Sequence, residues 1–499
     1  MMVTDASLRR QNASNSLTLA WVVAGIALLL VLGLAGLLMR AMQAGLLPAT
    51  QWFYPLLTLH GTGMVSLALV LMLAATRYAF GEALALSVGL MRWIFGLVML
   101  AVVLLLASTL VGRLGTGWTF LYPLPYYPLG AWSPWAFVAF VLAVTIVVVA
   151  FLVTSIEFLW RGVRKYGSLG RMYGLEELFG SPAGEDNKWP KSNPAIIALT
   201  VVSLTWIPGA LAGAVLVVLE LVQVASPAST FNVLLGKNLL YFAGHMIVNV
   251  DIYMGAALVY AILPAYANRP WKMSGPLVAG WLVTTVAVML AFFHHLYMDF
   301  AQPDAVQVIG EIFSYVSAFP AIVVTIFGAL MLVWRSGIRW STAPRLLYTG
   351  LAGWAIGGAA AVIDSSIPVN AVMHNTTWVP AHFHTYMGLG VVLFFLGAMY
   401  HILPSIAGGR RLSERAGRWA SWLILTGGYA LMLTWYLGGV LSEPRRYAVQ
   451  LAGTSWLSLV GTLAALVIGA GGVIIATDLV RILTRPAQPG TARQVDAAA

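Results

Sequence analysis

Three histidine patterns carry the chemistry of this chain: His245 alone in one apolar stretch, the adjacent pair His294 and His295 in the next, and His382-Phe383-His384 further on. With His60 they place six of the eight histidines inside hydrophobic segments. A spare imidazole is costly in a bilayer, so an ionisable residue there is a functional hypothesis by default. Neutral imidazole is also a good ligand for copper, iron and zinc. Six at convergent depth point to a redox metal centre.

Convergence has to be supplied by the elements that carry these residues. The chain has 499 residues, of which 60% are hydrophobic and only 9% charged, which marks an all-α polytopic membrane protein. An apolar run of about 20 residues crosses the hydrocarbon layer. Twelve such runs are expected, at about 16–42, 54–79, 90–112, 132–162, 194–225, 236–264, 275–300, 307–334, 345–366, 380–403, 418–440 and 455–482. They are numbered here as spans 1 to 12, and residues 16–482 form one helical domain. Residues 1–15 read as a cytoplasmic N-terminal segment and 483–499 as a cytoplasmic tail. The 163–193 loop reads as a polar surface segment.

The first run is too long for a signal-peptide core and lacks a clear cleavage site, so it reads as a retained span with Arg9 and Arg10 in the cytoplasm. Both termini and the even-numbered loops are then cytoplasmic, and they hold most of the 27 lysines and arginines. The net charge of +10 is thereby explained by loops facing anionic headgroups, without nucleic acid. The chain has no cysteine, which excludes disulfides, thiolate copper centres, thiolate-held iron–sulfur clusters and covalent haem attachment.

Orientation converts sequence position into depth at about 1.5 Å per helical residue. His60 and His245 lie a short way inside the outer ends of spans 2 and 6, His294 and His295 approach the outer end of span 7, and His382 and His384 begin span 10 from outside. All six share the outer part of the bilayer. His382 and His384, about 200° apart on a helix, point to opposite sides of span 10 and can serve two different haems. His294 and His295 diverge by about 100° and, with His245 from a neighbouring helix, can form a three-histidine cup. Arg445 and Arg446 are among the few basic residues left outside, where paired guanidiniums can grip carboxylates bidentately. His401, near the cytoplasmic end of span 10, reads as an interfacial side chain.

At these residues the chain resembles the catalytic subunit I of the haem–copper oxidase superfamily. The resemblance rests on His60-Gly61-Thr62-Gly63, Gly244-His245-Met246-Ile247-Val248, His294-His295, the run from His374-Asn375-Thr376-Thr377-Trp378-Val379-Pro380 to His384, and Pro444-Arg445-Arg446. It covers nearly all twelve spans, and the His-Asn-Thr-x-Trp-Val-Pro form looks most like the B-type oxidases. It implies a twelve-transmembrane-helix bundle in a bacterial or archaeal cytoplasmic membrane. His60 and His384 would ligate a low-spin haem, and His382 a high-spin haem, both expected to be haem b. His245, His294 and His295 would hold a facing non-haem metal, and His374, Arg445 and Arg446 match positions beside haem propionates. The implied partners are a small electron-donating subunit whose periplasmic domain carries dinuclear copper or c-type haem, and a soluble cytochrome c, a cupredoxin or quinol.

Two departures matter. Oxygen-reducing A- and B-type members carry a tyrosine one helical turn after the copper-ligand histidine; here that residue is Asn249. C-type members draw it from span 7, six residues before the histidine pair; here that residue is Val288. Four-electron cleavage of dioxygen uses an electron from the tyrosine, whereas reducing two nitric oxide molecules to nitrous oxide and water needs only two electrons. The expected activity is therefore nitric oxide reduction, with a B-type-like terminal oxygen reductase using Tyr253 or Tyr297 as the alternative. Nitric oxide reductases of the superfamily place a metal-ligating glutamate where Asn249 stands, so three imidazoles alone favour copper over iron.

The second departure concerns protons. In the B-type hydroxyl-lined path Tyr260 survives, but the next positions are Ala256, Ala321 and Val324, so uptake from the cytoplasm is not expected by that route. Asp251 is the first candidate acid among Glu220, Asp299, Glu311 and Asp364. It lies about 240° round the helix from His245, which suits a proton donor better than a metal ligand. A twelve-span secondary transporter also fits the hydropathy, and it predicts broken helices and no pigment.

Overall fold

The computed structural model describes residues 5–120, 130–180, 188–226 and 228–484, with side chains from residue 11. All twelve spans are helices: Gln11–Gln43, Phe53–Gly81, Val88–Val111, Pro134–Tyr166, Pro194–Ala225, Val233–Ala267, Gly275–Leu296, Asp304–Val333, Thr342–Asp364, Trp378–Ile406, Glu414–Val440 and Ser455–Thr484. Local chemistry sets several boundaries. Asn193, Asn232, Ser274 and Ser413 each cap a helix by accepting a hydrogen bond from the backbone N–H three residues on. Proline opens spans 4 and 5, where its missing N–H costs nothing. The first helix already begins at Asp5, well before the expected start of span 1. The Arg9 and Arg10 side chains, and residues 485–499 of the tail, lie outside the described residues.

Consecutive spans pack as antiparallel pairs, and span 1 lies against span 12, closing the bundle into a ring. Spans 6 and 10 are the most enclosed, with 78% of their apolar windows buried against 22% for span 8. These two interior helices carry His245, His382 and His384.

Three irregularities fall near the histidines. Span 7 leaves α-helical geometry at Ala291 and ends as a 3-10 turn over Phe292–Leu296, which contains His294 and His295. Adjacent residues there diverge by about 120° rather than the expected 100°. Span 10 carries a π-helical segment, Met387–Val391, just past His384, the kind of bulge found at functional sites. Span 8 is interrupted between Ala318 and Pro320, where proline lacks the N–H that would continue the ladder; the Ala321 N–H donates to Thr284 Oγ1 in the neighbouring span.

Spans 9 and 10 approach closely through glycines spaced four apart. A Cβ at Gly353 would sit 1.9 Å from the Leu389 carbonyl oxygen, and one at Gly357 would sit 2.8 Å from the Tyr386 nitrogen. Small residues at this spacing let transmembrane backbones meet. The 163–193 loop differs from expectation. It contains two short helices, Leu169–Met172 and Glu176–Phe179, buries Arg171, Met172 and Tyr173, and joins Tyr173 to Thr285 by a 2.5 Å hydroxyl contact. Part of that loop is a plug rather than a solvated segment; residues 181–187 lie outside the described residues.

Candidate active site

The nine site residues singled out for haem and metal, His60, His245, His294, His295, His374, His382, His384, Arg445 and Arg446, line one cavity of about 1090 Å³. Within it the histidines sort into the expected groups. His245, His294 and His295 each offer a ring nitrogen within 4.8 Å of the others, the one group of three such donors among the described residues. Nδ1 of His245 lies 3.4 Å from Nε2 of His295. His294 Nδ1 is held 2.8 Å from the Ser314 hydroxyl, leaving its Nε2 for the cup. An outer partner that fixes tautomer and ring orientation is the usual support of a metal-ligating histidine.

His60 and His384 form the second group. Their rings are parallel within 9° with centroids 5.9 Å apart, which leaves room for one metal atom bonded to a nitrogen of each at about 2 Å. Each ring has its Nδ1 occupied by a backbone carbonyl, His60 by Leu32 at 2.9 Å and His384 by Pro380 at 2.8 Å. Nε2 is thereby freed on both sides. Gly36 makes the space, since a Cβ there would meet the His60 ring at 2.7 Å. His382 leans the other way, with Nδ1 3.4 Å from the Gly357 carbonyl of span 9. The opposite-sides reading of His382 and His384 thus holds in the structure. The donor sets fit two haems and one metal ion: paired imidazoles, a third imidazole facing a three-imidazole cup, and no carboxylate among them.

At the cavity rim, two loops are joined. The N–H of Arg445 donates to the Asn375 carbonyl at 2.9 Å and that of Thr377 to the Glu443 carbonyl at 2.8 Å, with an isolated bridge between Thr376 and Pro444. Arg446 adopts φ 68°, a left-handed turn that a non-glycine residue takes only where the surroundings demand it. Nε of Arg445 is buried without a hydrogen-bond partner, a donor whose desolvation is left uncompensated. Burial, with Arg446 beside it, lowers Arg445 to about 10, opposed by Tyr241 and Asp364. Burial and the two arginines lower His374 to about 4, and its Nδ1 is 3.0 Å from Asn370 Oδ1.

The remaining candidates divide. Asn249 and Tyr253 line the cavity; Asn249 Nδ2 donates to the His245 carbonyl at 2.8 Å, and the Tyr253 hydroxyl to Asn249 Oδ1 at 3.3 Å. Asp251 is fully buried, neither oxygen has a hydrogen-bond partner, and it is not part of the cavity wall. Tyr297 does not itself line the cavity, but its hydroxyl donates at 3.1 Å to the carbonyl of Ser365, a residue that does. Val288 is buried, at 1% exposure, and is not part of the cavity wall. Around Tyr260 the surroundings are less bare of hydroxyls than expected, because Thr325, one position beyond Val324, meets the Tyr260 hydroxyl at 2.5 Å. His401 is half-buried, 3.1 Å from the Tyr266 hydroxyl.

Sequence reasoning missed three aromatics and one hydroxyl. Tyr386 lines the cavity and donates to Asn249 Oδ1 at 3.3 Å; it lies one turn past His382, a signal open to inspection. Tyr241, one turn before His245, lies face-on to His295 at 5.4 Å. Trp435 packs on His384 at 4.7 Å, and only the fold brings it there. Ser314 is likewise silent in sequence.

An all-helical twelve-span bundle enclosing paired imidazoles and a three-histidine cup defines the catalytic-subunit architecture of the haem–copper oxidases. A solved haem–copper terminal oxidase dimer has the same fold, with a TM-score of 0.81 over 96% of this chain and 85% of that one at 19% identity. The chain belongs to the cytochrome c and quinol oxidase polypeptide I family, whose pattern matches residues 16–471. Similar proteins include cytochrome c oxidase subunit 1 of Thermus thermophilus, 27% identical over 52% of this chain and 50% of that protein. Another is cytochrome c oxidase subunit 1 of Thermostichus vulcanus, 25% identical over 87% and 78% respectively. Against the Thermus relative the match spans about half that protein's length. The chain is thus a multi-pass membrane protein of this family.

Proposed function

We propose that this chain is the catalytic subunit of a membrane nitric oxide reductase, taking two NO, two electrons and two protons to N2O and water. The observation that carries this reading is Asn249, a carboxamide one turn from His245 on the cavity wall, with apolar Val288 at the other position that could supply a phenol. An amide donates and accepts hydrogen bonds but has no accessible oxidised state to offer as a further electron.

His60 and His384 hold the low-spin haem, His382 the high-spin haem and His245, His294 and His295 the non-haem metal, copper favoured with iron as the alternative. Both haems are assigned as haem b. When bound, these groups bind the substrate and supply its electrons. Arg445 and Arg446 clamp the haem carboxylates, and neutral His374 adds a hydrogen bond there. Asp251, behind the cavity wall, serves as a proton donor. The chain sits in a bacterial or archaeal cytoplasmic membrane with both termini inside. A small subunit with a periplasmic dinuclear copper or c-type haem domain passes it electrons from a soluble cytochrome c or cupredoxin, or quinol supplies them.

A second reading, a terminal oxygen reductase, is favoured by the presence of the Tyr253 and Tyr386 phenols on the cavity wall and by the similarity to cytochrome c oxidase subunits. Side-by-side turnover of the reduced enzyme separates them. Faster nitric oxide than oxygen consumption supports the reductase; faster oxygen consumption that Tyr253→Phe or Tyr386→Phe abolishes supports the oxidase.

A further inference from the structure

We propose that Asn249 is the specificity-determining residue of this site, a carboxamide locked in one orientation that holds the Tyr253 and Tyr386 hydroxyls as donors to its own oxygen. The proposal deepens the nitric oxide reading and rests on it for the identity of the preferred substrate.

The argument is a count of donors and acceptors. A primary amide has two N–H donors and an oxygen with two lone pairs. One N–H of Asn249 goes to the His245 carbonyl at 2.8 Å. A carbonyl cannot donate, so this contact fixes which end of the amide faces which way. Oδ1 then points to Tyr253, one turn on in span 6, and to Tyr386 of span 10, each at 3.3 Å. Both lone pairs are used. An amide oxygen can only accept, so the phenolic O–H of Tyr386 has Asn249 as its acceptor.

Two consequences follow for whatever occupies the cavity. Each phenol offers its proton to Asn249 and cannot offer the same proton to a bound substrate. What remains for the substrate is the second N–H of Asn249, a donor without an ionisable or oxidisable group behind it. The same contacts tie span 6, which carries His245, to span 10, which carries His382 one turn before Tyr386. Asn249 thus withholds two phenols from the reaction in a family whose oxygen-reducing members use one.

Vibrational spectra of the intact, haem-loaded enzyme with ring-labelled tyrosine test this independently of turnover. Among the bands of the 19 labelled tyrosines, the wild type should contain two phenol C–O bands at the position of hydrogen-bond donors that belong to Tyr253 and Tyr386. Tyr253→Phe and Tyr386→Phe should each delete one, and Asn249→Ala should shift both. In Asn249→Ala the ratio of oxygen to nitric oxide turnover should rise at least tenfold, whichever substrate the wild type prefers. Unmoved tyrosine bands, or an unchanged ratio, would overturn the proposal. If Asn249→Ala does not assemble, the two phenylalanine variants decide it, since a wild type whose bands at those positions are not donor bands is incompatible with the arrangement. A wild type that prefers oxygen while the bands shift as expected refutes the nitric oxide reading and leaves the Asn249 hydrogen-bond arrangement standing.

Discussion

Gly353→Ala is the sharpest test of how the fold positions the haem ligands. The added methyl would sit 1.9 Å from the Leu389 carbonyl oxygen and 2.2 Å from its carbon, both backbone atoms of the π segment that follows His384. Neither can rotate away, so span 9 must separate from span 10 or the π segment must rearrange. Overpacking costs about 1–3 kcal/mol, and a backbone clash this close belongs at the upper end. Every 1.4 kcal/mol is tenfold, so about 3 kcal/mol shifts the docked arrangement of span 10 by roughly two orders of magnitude. Gly388→Ala is the control: it lies in the same segment but a Cβ there meets nothing within 4 Å. Haem content per protein and the thermal midpoint of the visible spectrum are the assays. Gly353→Ala should lose high-spin and low-spin haem together, because His382 and His384 share the displaced helix, while Gly388→Ala should match the wild type. Equal behaviour of the two variants would refute the claim that the glycine contact sets the ligand positions.

Other outcomes follow from the same geometry. His60→Ala should abolish the low-spin spectrum and keep a high-spin one, because it removes one imidazole of the parallel pair and leaves His382 in place; a low-spin spectrum surviving that change would break the assignment. His374, lowered to about 4 by burial and by Arg445 and Arg446, binds a proton more readily unfolded than folded between that value and about 6.5. Its contribution therefore makes stability fall as pH drops through that window, is silent above it, and should disappear from pH-dependent melting of His374→Asn. Asp251→Asn should slow steady-state turnover in liposomes without changing the haem spectra; an unaltered rate would remove Asp251 from proton delivery.

The bundle was legible because composition leaves few alternatives: twelve apolar runs must be helices in lipid, since every backbone group needs an internal partner. The six histidines were legible because they are costly in such segments, and the two sides of span 10 followed from helical period alone. The helical period failed where the backbone leaves it. The 3-10 turn carrying His294 and His295 and the π segment after His384 arise from packing against spans 8 and 9, to which no local residue pattern points. The partners that orient the rings were hidden for the same reason: Leu32, Pro380 and Gly357 act through carbonyls, which every residue has. Tyr297 was legible by its closeness to the histidine pair, but its partner on the cavity wall, the Ser365 carbonyl, was not. The short helices of the 163–193 loop escaped because a polar composition does not exclude a few buried anchors such as Met172 and Tyr173.

The central claim is two-electron chemistry at a site with Asn249 one turn from His245, and the products of anaerobic turnover test it most directly. Reduced enzyme supplied with isotopically labelled nitric oxide should release one labelled nitrous oxide for every two nitric oxide molecules and two electrons consumed, and should do so faster than it reduces oxygen. Absence of nitrous oxide, together with four-electron reduction of oxygen to water at a higher rate, would contradict the account.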